Sequence, residues 1–146
     1  MKHGTLLVVD DNRNILTTVK MVTEQTFERI ICLVSPSSLL TRLREDQPDV
    51  VLLDMNFHSG INNGNEGLYW LREIKKARPQ TAVVLFTAYA DIELAVTGLK
   101  DGAADFIVKP FDNHQLIEKL TDAYQKTRKK KPTITAVSEM IWGTSP

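Results

Sequence analysis

Four short apolar runs punctuate the chain, and each ends on a polar residue. Leu6-Leu7-Val8-Val9 runs into Asp10-Asp11, Val50-Val51-Leu52-Leu53 into Asp54, Val83-Val84-Leu85-Phe86 into Thr87, and Phe106-Ile107-Val108 into Lys109-Pro110. A fifth run, Ile30-Ile31-Cys32-Leu33-Val34, lies between the first two. Runs without polar alternation mark strands buried on both faces. Between them, apolar residues recur at helical spacing. Ile15, Val19 and Val22 follow the first run, and Leu39, Leu40 and Leu43 follow Ser35-Pro36, a cap and first-turn pair. Leu68, Leu71 and Ile74 mark a third helix. Ile92, Ala95, Val96 and Leu99 give the predicted inner face of a fourth, with Asp91 as its cap and Gly102 as its end. Leu116, Ile117, Leu120, Ala123 and Tyr124 mark a fifth, capped by Asp112.

Five strand-like runs alternating with helix-period segments predict a parallel sheet with right-handed crossovers and helices on both faces. In such a sheet the C-terminal ends of the strands share one edge, and ligands bind there. The pattern therefore gathers Asp10, Asp11 and Asp54, a hydroxyl from Thr87 and an ammonium from Lys109 in one crevice. One stretch departs from the rhythm. Asn56 to Glu66 holds two glycines and four asparagines and reads as a long turn-rich loop beside Asp54.

The chain has 146 residues, enough for one domain and a short appendage. Its 42% apolar and 25% charged residues suit a globular protein. No apolar run approaches the roughly 18 residues that would span a bilayer. The N-terminus leads straight into a strand, which predicts no secretory leader, and the single Cys32, read as a core residue, suits a reducing cytoplasm. Net charge is zero, but residues 1–125 hold 13 Lys and Arg against 17 Asp and Glu. The basic cluster from Lys126 to Lys131, with five cations, more than offsets that excess. It reads as a solvated helix end leading into a linker, rather than as a nucleic-acid surface. Residues 132–138 show no helical period, and the chain closes on Trp142-Gly143-Thr144-Ser145-Pro146.

Three carboxylates held together need a cation or a proton. Oxygen-only ligands suit Mg²⁺, which keeps several waters. A carboxylate in such a site can attack a phosphoryl donor and form an acyl phosphate. Lys109 then offers a fixed positive charge to the phosphoryl oxygens, and Thr87 a hydrogen bond. A Mg²⁺-dependent phosphohydrolase of the haloacid-dehalogenase type also uses an aspartyl nucleophile, but it needs an acid two residues on, where this chain has Asn56. A nucleotide-binding module is disfavoured because the first turn, Asp10-Asp11-Asn12-Arg13, lacks G-x-G-x-x-G and would repel a pyrophosphate.

Taken together, V-V-D-D-N, V-V-L-L-D, L-F-T-A-Y and D-F-I-V-K-P-F resemble the receiver domain of bacterial two-component response regulators, over about residues 4–127. The resemblance implies a flavodoxin-like (CheY-like) five-stranded sheet of order 2-1-3-4-5. It implies that Asp54 accepts a phosphoryl group from a sensor histidine kinase. Asp11, Asp54 and the main-chain carbonyl of Asn56 would hold Mg²⁺, with Asp10 acting through water. Thr87 and Lys109 would grip the phosphoryl group, and Phe106 would be the switch aromatic. Asn56 and Tyr89 would tune the lifetime of the acyl phosphate, and Lys109-Pro110 would be a cis peptide. Such a domain is a switch that catalyses only its own phosphorylation and dephosphorylation. The family's usual Met-Pro after the phosphoacceptor is replaced by Asn56-Phe57-His58, and Gly67 comes 13 residues after Asp54, about five later than usual.

Gly143-Thr144-Ser145-Pro146 is similar to the element that opens the AAA+ ATPase of nitrogen-regulator-type, sigma-54-dependent activators. That resemblance divides the chain into a receiver, 1–127, and a basic linker, 128–146, before AAA+ and DNA-binding domains. A standalone receiver acting by protein contact is the alternative. The expected partners are the kinase and a second copy, paired through helix four, strand five and helix five, with no nucleic acid or membrane bound by these residues.

Overall fold

The computed structural model describes residues 2–57 and 65–130. Five strands, β1 (His3–Val9), β2 (Phe27–Leu33), β3 (Val50–Asp54), β4 (Ala82–Ala88) and β5 (Asp105–Lys109), form one all-parallel sheet of order β2-β1-β3-β4-β5. The helices α1 (Arg13–Thr23), α2 (Leu39–Asp46), α3 (Asn65–Ala77), α4 (Ile92–Lys100) and α5 (Asn113–Lys130) cover both faces. The expected fold and strand order are observed.

Strand alternation divides the core into two layers. Leu6, Val8, Val50, Leu52, Val84, Phe86 and Ile107 meet Leu16 and Val19 of α1 and Leu116, Leu120 and Ala123 of α5. Leu7, Val9, Val51, Leu53, Val83 and Leu85 meet Leu39 and Leu43 of α2, Leu68, Leu71 and Ile74 of α3, and Ala95 of α4. No helix among the described residues is long and apolar enough to cross a membrane.

Several local expectations need correction. β2 begins at Phe27, not Ile30, because the buried Phe27 pairs with His3 while exposed Glu28 and Arg29 interrupt the apolar run. Ser35 caps a 3-10 turn, Pro36–Ser38, and α2 starts only after it. The inner face of α4 is Ala95 and Gly98, with Leu94 half-buried, whereas Val96 and Leu99 are exposed. Gly98 explains the rotation: a Cβ there would lie 2.3 Å from the Leu85 side chain, so the helix approaches β4 through its smallest residues. Asp91 occupies the cap position of α4 but makes no side-chain cap bond. Asp112 does cap α5: its carbonyl accepts from the Leu116 N–H and its carboxylate from the His114 N–H.

Candidate functional site

β1 and β3 are neighbours, with Val9 level with Leu53, so Asp10 and Asp54 leave the sheet side by side. Asp54 is level with Phe86, and Ala88 with Lys109. The register thus places Asp10, Asp54 and Lys109 together over the α1/α5 layer. Thr87 falls on the opposite face by alternation, toward the layer against which Phe106 packs. The sheet edge sorts the expected residues into two groups, one on each face.

The first group is tightly paired. The Lys109 ammonium donates to Asp10 Oδ2 at 2.8 Å and to Asp54 Oδ1 at 3.1 Å, and lies 4.8 Å from the centre of the Phe86 ring. Phe86 in turn contacts Phe111. Asp10 is fully buried; its Oδ1 accepts the Asn12 N–H at 2.9 Å, while the Asn12 side chain caps α1 through Asn14 and Ile15. Asp54 is 5% exposed, and the Asn56 N–H reaches its Oδ1 at 3.4 Å. The Lys109-Pro110 peptide is cis, as the resemblance implied.

Burial disfavours the charged form of Asp54, and the Asp10 charge adds to this; Lys109 works against both, and the carboxyl is pushed up to about 6. For Lys109, burial acts to lower the pKa, but Asp54 and Asp10 outweigh it and hold the ammonium above its ordinary value. One carboxylate oxygen from each of Asp10, Asp11 and Asp54 lies within 4.8 Å of the other two. An all-oxygen set of this kind fits a hard divalent cation. These residues, with Asn12, Ile15, Asn56, Ala88 and Lys109, line an open cleft.

Of the remaining candidates, Asn56 lines the cleft, whereas Thr87, Phe106 and Tyr89 do not. Thr87 is fully buried, and its hydroxyl donates to the Ala88 carbonyl at 3.1 Å. Phe106 is half-buried; Lys119 of α5 donates to its carbonyl at 2.7 Å and lies 5.4 Å from its ring centre. Tyr89 opens a 3-10 turn and is 79% exposed. Asn56 holds a contact that sequence reasoning missed: its Nδ2 donates to Asp91 Oδ2 at 2.6 Å. Phe86 beneath Lys109 was also missed. Neither has a sequence signal, because both depend on register. His58, the loop residues 58–64, and the linker from 131 with Gly143-Thr144-Ser145-Pro146 lie outside the described residues.

A family profile described as "Response regulator receiver domain" matches residues 6–121. The chain is similar to the N-terminal signal receiver domain of a two-component response regulator from Bacteroides fragilis, with 54% identity and a TM-score of 0.77, covering 84% of this chain and 98% of that one. It is 31% identical over 144 residues to the transcriptional regulatory protein ZraR of Salmonella typhimurium, covering 97% of this chain and 32% of ZraR. It is 30% identical over 140 residues to the DNA-binding transcriptional regulator NtrC of the same organism, covering 90% of this chain and 28% of NtrC. The chain thus spans about a third of the length of these curated relatives.

Proposed function

Since the chain belongs to the response regulator receiver family, we propose that it is a phosphorylation-controlled switch whose phosphoacceptor is Asp54. The observation that carries this reading is the buried Asp54 carboxylate, paired to Lys109 at 3.1 Å beside two further carboxylates. In the reaction, a carboxylate oxygen of Asp54 attacks the donor phosphorus. A phosphorus–oxygen bond to Asp54 forms, and the bond to the donor's leaving group breaks, that group keeping the electron pair. Water attacking the same phosphorus later returns Asp54 and inorganic phosphate.

Asp10, Asp11, Asp54 and the Asn56 carbonyl are the residues that would hold Mg²⁺, which when bound supplies positive charge to the phosphoryl oxygens. Lys109, already between Asp10 and Asp54, supplies the chain's own fixed charge to those oxygens. Thr87 is the hydroxyl that would move to the phosphoryl group, with Phe106 on the same face following it. Asn56, which lines the cleft, and Tyr89, on the turn after β4, would tune water access to the acyl phosphate.

The donor is a sensor histidine kinase in the cytoplasm. Residues 1–127 form the receiver and 128–146 the linker to AAA+ and DNA-binding domains, a reading supported by the likeness to ZraR and NtrC. Output passes through the face made by α4, β5 and α5, where a second copy pairs. The test is intact mass after incubation with acetyl phosphate and Mg²⁺. The protein gains one phosphoryl group, and Asp54→Asn gains none. Equal labelling of that variant would overturn the assignment.

A further inference from the structure

The contact between Asn56 and Asp91 joins the phosphoacceptor loop to the start of α4, and nothing in the reading above uses it. Asp91 stands at the cap position of α4, with φ −107° and ψ 14°, yet its side chain accepts nothing from the first turn of that helix. The caps of α1 and α5, Asn12 and Asp112, accept first-turn N–H groups. Asp91 instead spends its Oδ2 on Asn56 Nδ2 across 35 residues of sequence. Asn56 is two residues beyond Asp54, aims its own N–H at Asp54 Oδ1, and lines the cleft.

The carboxylate therefore has two acceptor positions of similar worth. Helix caps and hydrogen bonds to charged groups overlap in strength. Elements balanced this closely respond to a small bias. A phosphoryl group on Asp54 brings roughly −1.5 to −2 charges. It competes for the donors of Asn56 and repels a carboxylate held against that residue, while the N-terminal end of α4 attracts one. Resting on the assignment of Asp54 above, we propose that Asp91 is a two-position positioning residue. It is bonded to Asn56 before phosphorylation and moves onto the first-turn amides of α4 afterwards, so that phosphorylation tightens the start of α4.

Three proteins test this, the wild type, Asp91→Ala and Asp91→Ser, each followed by amide hydrogen exchange at Glu93 and Leu94 with and without acetyl phosphate and Mg²⁺. Intact mass is measured in parallel. Serine caps helices well but is neutral and too short to repeat the reach to Asn56. In the wild type, phosphorylation slows exchange at these amides roughly fivefold, the equivalent of the roughly 1 kcal/mol that a cap supplies. Asp91→Ser is already slow without the donor, and Asp91→Ala shows no gain with it. A purely structural role would lower protection in both variants and leave the gain on phosphorylation intact, which would overturn the proposal. So would a wild type whose mass shows the phosphoryl group on Asp54 while exchange in α4 stays unchanged. A wild type that takes up no phosphoryl group would instead overturn the functional assignment, and this proposal with it.

Discussion

Asp54 carries the clearest physical signature at the scale of single residues. Its carboxyl is held near 6 against an ordinary value of 3.8, chiefly because it is buried. The folded protein therefore keeps a proton that the unfolded chain releases between these two values. Stability falls where the folded state binds more protons as pH rises. Metal-free protein should lose stability from about pH 4 to about pH 6 on account of this residue, and the cost should stay constant above that. At two units the cost reaches roughly 3 kcal/mol. Asp54→Asn, neutral at every pH, should be more stable than the wild type at pH 7 and show little advantage at pH 4. Chemical denaturation at both values checks this. An advantage independent of pH would show that the cost does not come from ionisation. These site residues were legible because Asp10, Asp54, Thr87 and Lys109 each follow an apolar run of the sequence, and parallel strands present such residues on one edge. Their division between two faces was not legible, since it depends on which residues lie level across the sheet.

Among the elements, legibility followed burial. β1, β3 and β4 are apolar along most of their length because both faces are covered. The edge strand β2 has exposed Glu28 and Arg29, so its first residues read as loop. The face of α4 misled because Val96 and Leu99 have the apolar character of core residues, while Ala95 and Gly98 make the contact. Close approach also places α3. Gly67 donates its N–H to the Met55 carbonyl at 3.1 Å, and a Cβ on it would lie 2.5 Å from the Met55 Cα. That neighbour is backbone and belongs to the segment that runs from Asp54 to Asn56, with buried Phe57 just beyond. Gly67→Ala must therefore lift α3 or shift the loop that carries Asn56. Overpacking of this kind costs typically about 1–3 kcal/mol. The variant should lose that much in denaturation and also take up phosphate more slowly from acetyl phosphate. A loss of stability with an unchanged uptake rate would mean that α3 yields and the site does not. Late as Gly67 comes in the sequence, it still packs on the backbone next to Asp54.

For the whole molecule, the question is how an event at one sheet edge leaves by the other. The far end of α5 is held firmly. Tyr124 stacks on His3 with ring centres 4.6 Å apart, and Arg128 lies over Tyr124 at 4.9 Å and pairs with Asp49 at 2.7 Å. Asp49 in turn accepts the Thr5 N–H at 2.9 Å. Loosening of this end is therefore a poor route for a signal, and a change in pairing between copies is a better one. The face of α4, β5 and α5 offers Val96 and Leu99, 42% and 38% exposed. Two such side chains fall well short of the roughly 800 Å² per partner in a stable complex. The unphosphorylated protein should therefore be monomeric, and pairing should depend on the altered face that phosphorylation favours. Light scattering at micromolar concentration should give the monomer mass without acetyl phosphate and close to twice that mass with acetyl phosphate and Mg²⁺. Val96→Glu with Leu99→Glu should remain monomeric in both conditions, because pairing would bury unpartnered charge, while intact mass still shows one phosphoryl group. A wild type that stays monomeric when phosphorylated would refute pairing as the output of this domain. A double variant that pairs as the wild type does would move the interface to another face.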